Sequence, residues 1–263
     1  MFWNAVRRGT CKLCLREADL CSSHYLCRSL YRLSRTDGDD PIMSSPLFIQ
    51  PTQRQVQDYV FCRPCEKRFD DGGENYVMRL INRENDFRLF SMIRATLRRR
   101  SEGDFTVYSA DDMNLDTSAL AYFALSVVWR GSVHGWRLNG ARLVQLDLGN
   151  HQEPIRRFLH GDGSMPNNLC VKVSVATDWA SQQCSFFPSV NPDQKDATAF
   201  TFMTRGIWFD VVIGNPLPTY AYDSCCVRGA DKLIFVGDFD RFVMWGFNYA
   251  KSTAVIDPRL RTS

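Results

Sequence analysis

Two cysteine pairs carry the strongest chemical signal in the chain: Cys11-Lys12-Leu13-Cys14 and Cys62-Arg63-Pro64-Cys65. Two residues between thiols let one tight knuckle present both sulfurs to a single ion at ~2.3 Å, and two such knuckles supply the four soft ligands of a tetrahedral zinc site. Four sulfurs leave no open coordination position, so Zn²⁺ held by Cys11, Cys14, Cys62 and Cys65 is expected to be structural. Its binding energy then becomes folding energy, on the order of 10 kcal/mol in small zinc peptides. A redox dithiol needs a βαβ setting, which neither pair has. Residues 15–61 separate the knuckles, a longer gap than in compact zinc ribbons, so a structured excursion is expected between them. Cys21, His24 and Cys27 fall inside that gap at three-residue spacing, where one could replace a ligand or join a second site. Cys170, Cys184, Cys225 and Cys226 read as buried free thiols, which behave as small hydrophobes.

The remaining chemistry is sparse. Of four histidines, His24 lies between the knuckles. His160-Gly161-Asp162-Gly163 reads as a loop after a short helix, and Asp238-Phe239-Asp240 as a turn at a strand end. There is no Walker loop, Rossmann fingerprint or Gly-x-Ser-x-Gly elbow, which leaves NTP-dependent and serine-hydrolase chemistry without support.

The elements that must position these groups follow from length and pattern. The chain has 263 residues, 44% hydrophobic and 23% charged, enough for one large or two small domains with a core of their own. Residues 1–100 carry 18 Lys and Arg against 12 Asp and Glu, a net +6, whereas residues 101–263 carry 14 against 17, a net −3. The front is therefore the face suited to nucleic acid or another anion, and a partner protein is a further candidate. Leu47–Gln50 and Asp58–Phe61 suggest a hairpin feeding the second knuckle. Apolar residues at three and four predict helix from Asn75 to Arg100, with a break at Asn82-Arg83-Glu84-Asn85. Arg79, Arg83, Arg94 and Arg98 fall off that stripe, giving either a phosphate-facing surface or a plainly solvated one.

Residues 101–112 are acidic and contain Gly and Ser, so a boundary is placed there, dividing a zinc-binding module with its helices (1–100) from an α+β domain (101–263). A helix from Leu115 to Val133 and a short one ending near His160 are expected. Strands are expected around Val171–Val175, at Thr198–Thr204 and Ile207–Ile213 about an Arg205-Gly206 turn, at Leu233–Val236 and at Phe242–Phe247. The fold class is α+β: a zinc-organised front, helices, and a C-terminal antiparallel sheet. Ser118–Trp129 is too short for the ~20 residues of a membrane span. Met1–Arg8 holds two arginines and no apolar run of a secretory signal, so a cytoplasmic protein without membrane contact is expected.

Within the front half, Cys11–Cys14, then Leu20-Cys21-Ser22-Ser23-His24, then a second pair followed by Glu66, resembles the zinc-containing HNH, or ββα-metal, endonucleases over residues 10–80. Cys62-Arg63-Pro64-Cys65-Glu66-Lys67-Arg68-Phe69 and Phe123-Ala124-Leu125-Ser126 before Trp129-Arg130 extend a similarity to a group of bacterial HNH-like proteins to about residue 130. The resemblance implies a treble clef of knuckle, β-hairpin and helix, with DNA as ligand and a role in conflict with phage. It also implies phosphodiester hydrolysis, with His24 as general base and a catalytic Mg²⁺ or Mn²⁺. The chain departs from the family pattern. Ser23 stands where an acidic or histidine residue usually helps bind the metal, Glu66 stands where Asn is usual, and the closing His or Asn is absent. Glu66 or Glu74 would have to substitute, since carboxylates suit Mg²⁺. His24 has a second reading, as a zinc ligand or a loop-orienting side chain. A non-catalytic treble clef that binds nucleic acid or a partner protein, with the C-terminal sheet as a sensing domain, is the alternative to an endonuclease.

Overall fold

The first cysteine pair sits in the loop of a hairpin. Strand β1 (Arg7–Thr10) pairs antiparallel with β2 (Glu17–His24), Thr10 opposite Glu17, so residues 11–16 form the connection. Helix α1 (Arg28–Leu33) and the short strands β3 (Ile42–Ser44) and β4 (Phe48–Pro51) follow, before β5 (Gln57–Cys62) returns along the free edge of β2. In this computed structural model the described residues are 7–33, 42–44, 48–51, 54–83, 86–138, 141–191, 197–228, 231–241, 243–244, 248 and 255–256. The loop expected at Thr36–Asp40 lies outside them.

The hairpin expected between Leu47–Gln50 and Asp58–Phe61 does not form. β4 pairs with β3 and, in parallel, with Val255–Ile256, while β5 pairs with β2. The pairing with β2 sets Cys62 opposite Leu20, beside the first knuckle. A shift of register between Leu20 and Ser22 bulges β2 at Cys21, and such bulges re-aim side chains.

Helix α2 (Arg63–Phe69) starts directly from β5, with Pro64 in its first turn, where the missing N–H costs nothing. It continues through a π turn, Asp70–Glu74, into α3 (Asn75–Leu80). The π turn lies tightly against the helix that follows later in the chain. A Cβ on Gly72 would stand 2.4 Å from the Tyr122 ring, and one on Gly73 would stand 2.7 Å from the Ala119 carbonyl. Only glycine lets the later helix approach so closely. The break expected at 82–85 is a minimal hairpin, β6 (Asn82–Arg83) and β7 (Asp86–Phe87), before α4 (Arg88–Arg94).

The acidic stretch expected at a boundary contributes β8 (Arg100–Glu102) and β9 (Phe105–Ser109) to the large sheet. Helix α5 (Thr117–Val133) follows, its first turn capped by Asp116, whose carboxylate accepts from the Ala119 amide at 2.9 Å. Fourteen of its 17 residues are buried, as a helix enclosed on all sides must be. On one flank Trp129 meets Phe61 and Phe69 of the front; on the other Phe123 meets Phe202 and Phe209 of the sheet. One hydrophobic cluster therefore runs from Leu13 through α5 to Val236.

After a two-residue pair, β10 (Arg137–Leu138) with β11 (Ala141–Arg142), come α6 (Gln152–His160), β12 (Leu169–Ala176) and α7 (Trp179–Gln183). β13 (Ser185–Asn191), β14 (Thr198–Thr204), β15 (Ile207–Ile213), α8 (Thr219–Asp223), β16 (Leu233–Gly237) and β17 (Val255–Ile256) complete the order. The large sheet runs β13-β14-β15-β12-β16-β9-β8. The β14–β15 hairpin forms at the expected residues, with Arg205 and Gly206 at positive φ in its turn. The sheet is mixed rather than wholly antiparallel, because β16 joins β12 in parallel after the α8 excursion. The strand expected at Phe242–Phe247 is helical at Val243 and Met244, the described residues of that stretch. Among the described residues no helix is long and apolar enough to cross a membrane.

Candidate metal centre and adjoining groove

The sulfurs of Cys11, Cys14, Cys62 and Cys65 all lie within 4.8 Å of one another. Cys14 and Cys62 are 3.8 Å apart, which matches the edge of about 3.8 Å of a tetrahedron with ~2.3 Å metal–sulfur bonds. The four cysteines are close enough to bind a metal such as zinc. The backbone is shaped for it. Leu15 takes a positive φ of 60°, closing the knuckle through the Leu15 amide to the Cys11 carbonyl at 2.9 Å. The Cys62 amide points at the Cys11 sulfur at 3.4 Å, and Arg156 of α6 braces the loop by donating to the Leu13 carbonyl at 2.6 Å. The hydrogen bond with Cys65 draws the Cys11 thiol down to about 4, while the Cys65 thiol is pushed up by the same contact. Four thiols this close cannot all ionise beside one another without a cation between them.

Beyond the second knuckle, an open groove of about 990 Å³ runs along α2 and the π turn. Cys21, brought round by the β2 bulge, and Pro64 form part of its wall, Arg28, Arg63 and Lys67 line it, and Glu66, Asp70 and Asp71 supply its carboxylates. Lys67 pairs with Asp71 at 2.5 Å. Among the described residues Arg28 and Arg63 make no ion pair. Glu66 is largely buried, and one of its carboxylate oxygens has no hydrogen-bond partner. Burial pushes its carboxyl up to about 7, against the pull of Arg130 and of a hydrogen bond with Ser23. Asp70, one turn on, is also raised, first by burial and then by Glu74.

Of the three residues put forward for catalysis, only Glu66 lines this groove. His24 ends β2 with its Nε2 2.6 Å from the Gln55 side-chain oxygen and its ring 5.9 Å from that of Tyr31. Burial, with lesser contributions from Arg28 and Arg130, lowers its pKa, so the imidazole is neutral at pH 7. Glu74 is engaged elsewhere: it is buried and ion-paired with Arg130. Of the two other residues in the gap, Cys27 donates to the Met78 sulfur at 3.2 Å. Among the described residues, the four knuckle cysteines are the only group of three or more His, Cys, Asp or Glu side chains close enough to share a metal ion.

Arg130 is the residue the sequence reading missed. It is 2% exposed, lies 4.2 Å above the Phe69 ring, pairs with Glu74, and donates to the His24 and Tyr25 carbonyls at 3.4 and 3.5 Å. It ties α5 to the end of β2 and to the π turn. The signal was an arginine closing an apolar helix, where a charge needs a partner.

No family model, curated protein or solved structure matches the chain.

Proposed function

We propose that the front of the chain is a divergent HNH-like treble clef, stapled by a structural zinc ion, that binds nucleic acid along the groove beside α2. The observation that carries this reading is the chain order around the cysteine cluster. A knuckle, a strand ending in His24, a strand that pairs back on it only after α1, β3 and β4, and a helix entered through the second knuckle make up this front; they are the parts the family resemblance implies, with α1, β3 and β4 inserted between the paired strands. Arg28 and Arg63, which make no ion pair among the described residues, supply guanidinium groups that suit phosphate oxygens. Binding is tested by fluorescence anisotropy of labelled DNA at rising salt. The reading expects affinity to fall steeply with salt, as phosphate contacts require, and to weaken in Arg28→Ala and Arg63→Ala. Salt-independent binding, or unchanged binding in both variants, overturns it.

Phosphodiester hydrolysis is the second reading, favoured by the unpartnered oxygen of Glu66 with Asp70 one turn away. Those carboxylates are the residues that would hold Mg²⁺ or Mn²⁺, which would neutralise charge on the phosphate. His24, neutral at pH 7, is the chain's candidate to take a proton from water; its Nε2–H donates to the Gln55 oxygen, which leaves Nδ1 as the basic nitrogen. Plasmid cleavage that requires a divalent ion and is lost in His24→Ala and Glu66→Gln supports this reading. Cleavage in neither wild type nor variants leaves the binding module.

A further inference from the structure

A second cavity, about 550 Å³, lies on the other side of the π turn, within the ~300–1,000 Å³ of small-ligand sites. Asp71 and Asn75 line both cavities, so the two meet across one helical ridge. The second differs in character from the first: its wall is aromatic. Tyr76 carries the Arg79 guanidinium 5.8 Å from its ring centroid. Tyr122 and Phe158 stand opposite, 5.8 Å apart.

These rings are held in place. The Tyr76 hydroxyl accepts from the Asp116 amide at 2.8 Å, and the Tyr122 hydroxyl donates to the Leu159 carbonyl at 2.8 Å. Gly72 lets the Tyr122 ring lie directly on the π turn, since any Cβ there would collide with it. Among the described residues the side-chain amide of Asn75 and the Ser118 hydroxyl at the cavity wall make no hydrogen bond. The cavity thus offers three held rings, the Arg79 guanidinium, the carboxylates of Asp71 and Asp116, and hydrogen-bonding groups of Asn75 and Ser118 at its edge.

We propose that this cavity is a nucleobase subsite, in which one base of a single strand stacks beside Tyr76 and Arg79 while its neighbouring phosphates reach Arg28 and Arg63 in the groove across the Asp71–Asn75 ridge. The inference rests on the nucleic-acid reading and narrows it to unpaired strands. A base offers a flat π face to Tyr76 and Arg79 and a polar edge to Asn75 and Ser118, and a duplex would keep that face stacked.

The test compares two labelled oligonucleotides of equal length, one of deoxyadenosine and one abasic, by anisotropy at a single salt concentration. Wild type is expected to bind the base-bearing strand tighter by about 5-fold or more, the lower end of stacking on an aromatic side chain. Tyr76→Leu is expected to reduce that ratio and leave abasic binding unchanged, and Arg79→Ala is expected to reduce the ratio as well. Tyr76→Phe loses the same hydrogen bond as Tyr76→Leu but keeps the ring, and should retain the preference. Equal binding of both strands by wild type, with both weakened by Arg63→Ala, overturns the subsite and leaves the nucleic-acid reading standing. Binding of neither strand overturns both.

Discussion

Replacing Arg130 by leucine removes the group that joins α5 to the front of the molecule. The wild-type guanidinium and the Glu74 carboxylate are 2% and 10% exposed, so Arg130→Leu strands a buried carboxylate. Breaking a buried pair by deleting one partner costs about 3–5 kcal/mol, most of it from the charge left behind. The carbonyls of His24 and Tyr25 also lose a donor, at about 1 kcal/mol each where water does not replace it. A loss of about 3–5 kcal/mol from the pair, rising toward about 7 if water replaces neither lost donor, is therefore expected, a large part of a typical domain's stability. Adding Glu74→Leu removes the stranded charge, and the double variant should recover at least about 2 kcal/mol relative to Arg130→Leu. Urea unfolding followed by circular dichroism, with zinc present throughout, measures all three proteins. A single variant destabilised by less than about 1 kcal/mol, or a double variant no better than the single, would refute the reasoning.

Other perturbations read other parts of the structure. Gly73→Ala forces a methyl against the Ala119 carbonyl and Phe123 and should cost about 1–3 kcal/mol, checked by the same unfolding assay. His24 has a folded pKa below its ordinary 6.5, so the unfolded chain binds its proton first and stability falls as pH drops below 6.5. Between pH 7 and pH 5.5 wild type should therefore lose more stability than His24→Gln, by no more than about 1.4 kcal/mol per pH unit; parallel pH profiles would contradict this. Stripping metal with a chelator should alter the fluorescence of Trp129, which packs on Phe61 and Phe69 beside the second knuckle, and added Zn²⁺ should restore it.

Much of the fold was legible because local chemistry decides it. The CxxC spacing marks the four sulfurs that the fold brings together, and the apolar run of α5 and the Arg205-Gly206 turn each carry their own signal. What escaped depends on contacts distant in sequence. β5 was expected to pair with its neighbour and pairs instead with β2, across residues 25–56, since the sulfur cluster needs Cys62 beside Cys11. Residues 101–112 read as a boundary, yet Phe105–Ser109 joins the large sheet because β16 offers β9 a partner, and β8 pairs along β9. Glu74 looked free because its partner lies 56 residues on, at Arg130. The π turn holds Gly72 and Gly73, whose meaning emerges only once α5 lies against them.

The most direct test is X-ray absorption of the purified protein at the zinc edge, with metal content measured alongside. One zinc per chain, surrounded by four sulfurs at about 2.3 Å, is the expected result. A chain without stoichiometric metal, or an ion whose shell contains nitrogen or oxygen in place of sulfur, would contradict the four-cysteine centre on which the arrangement of β2, β5 and α2 has been built.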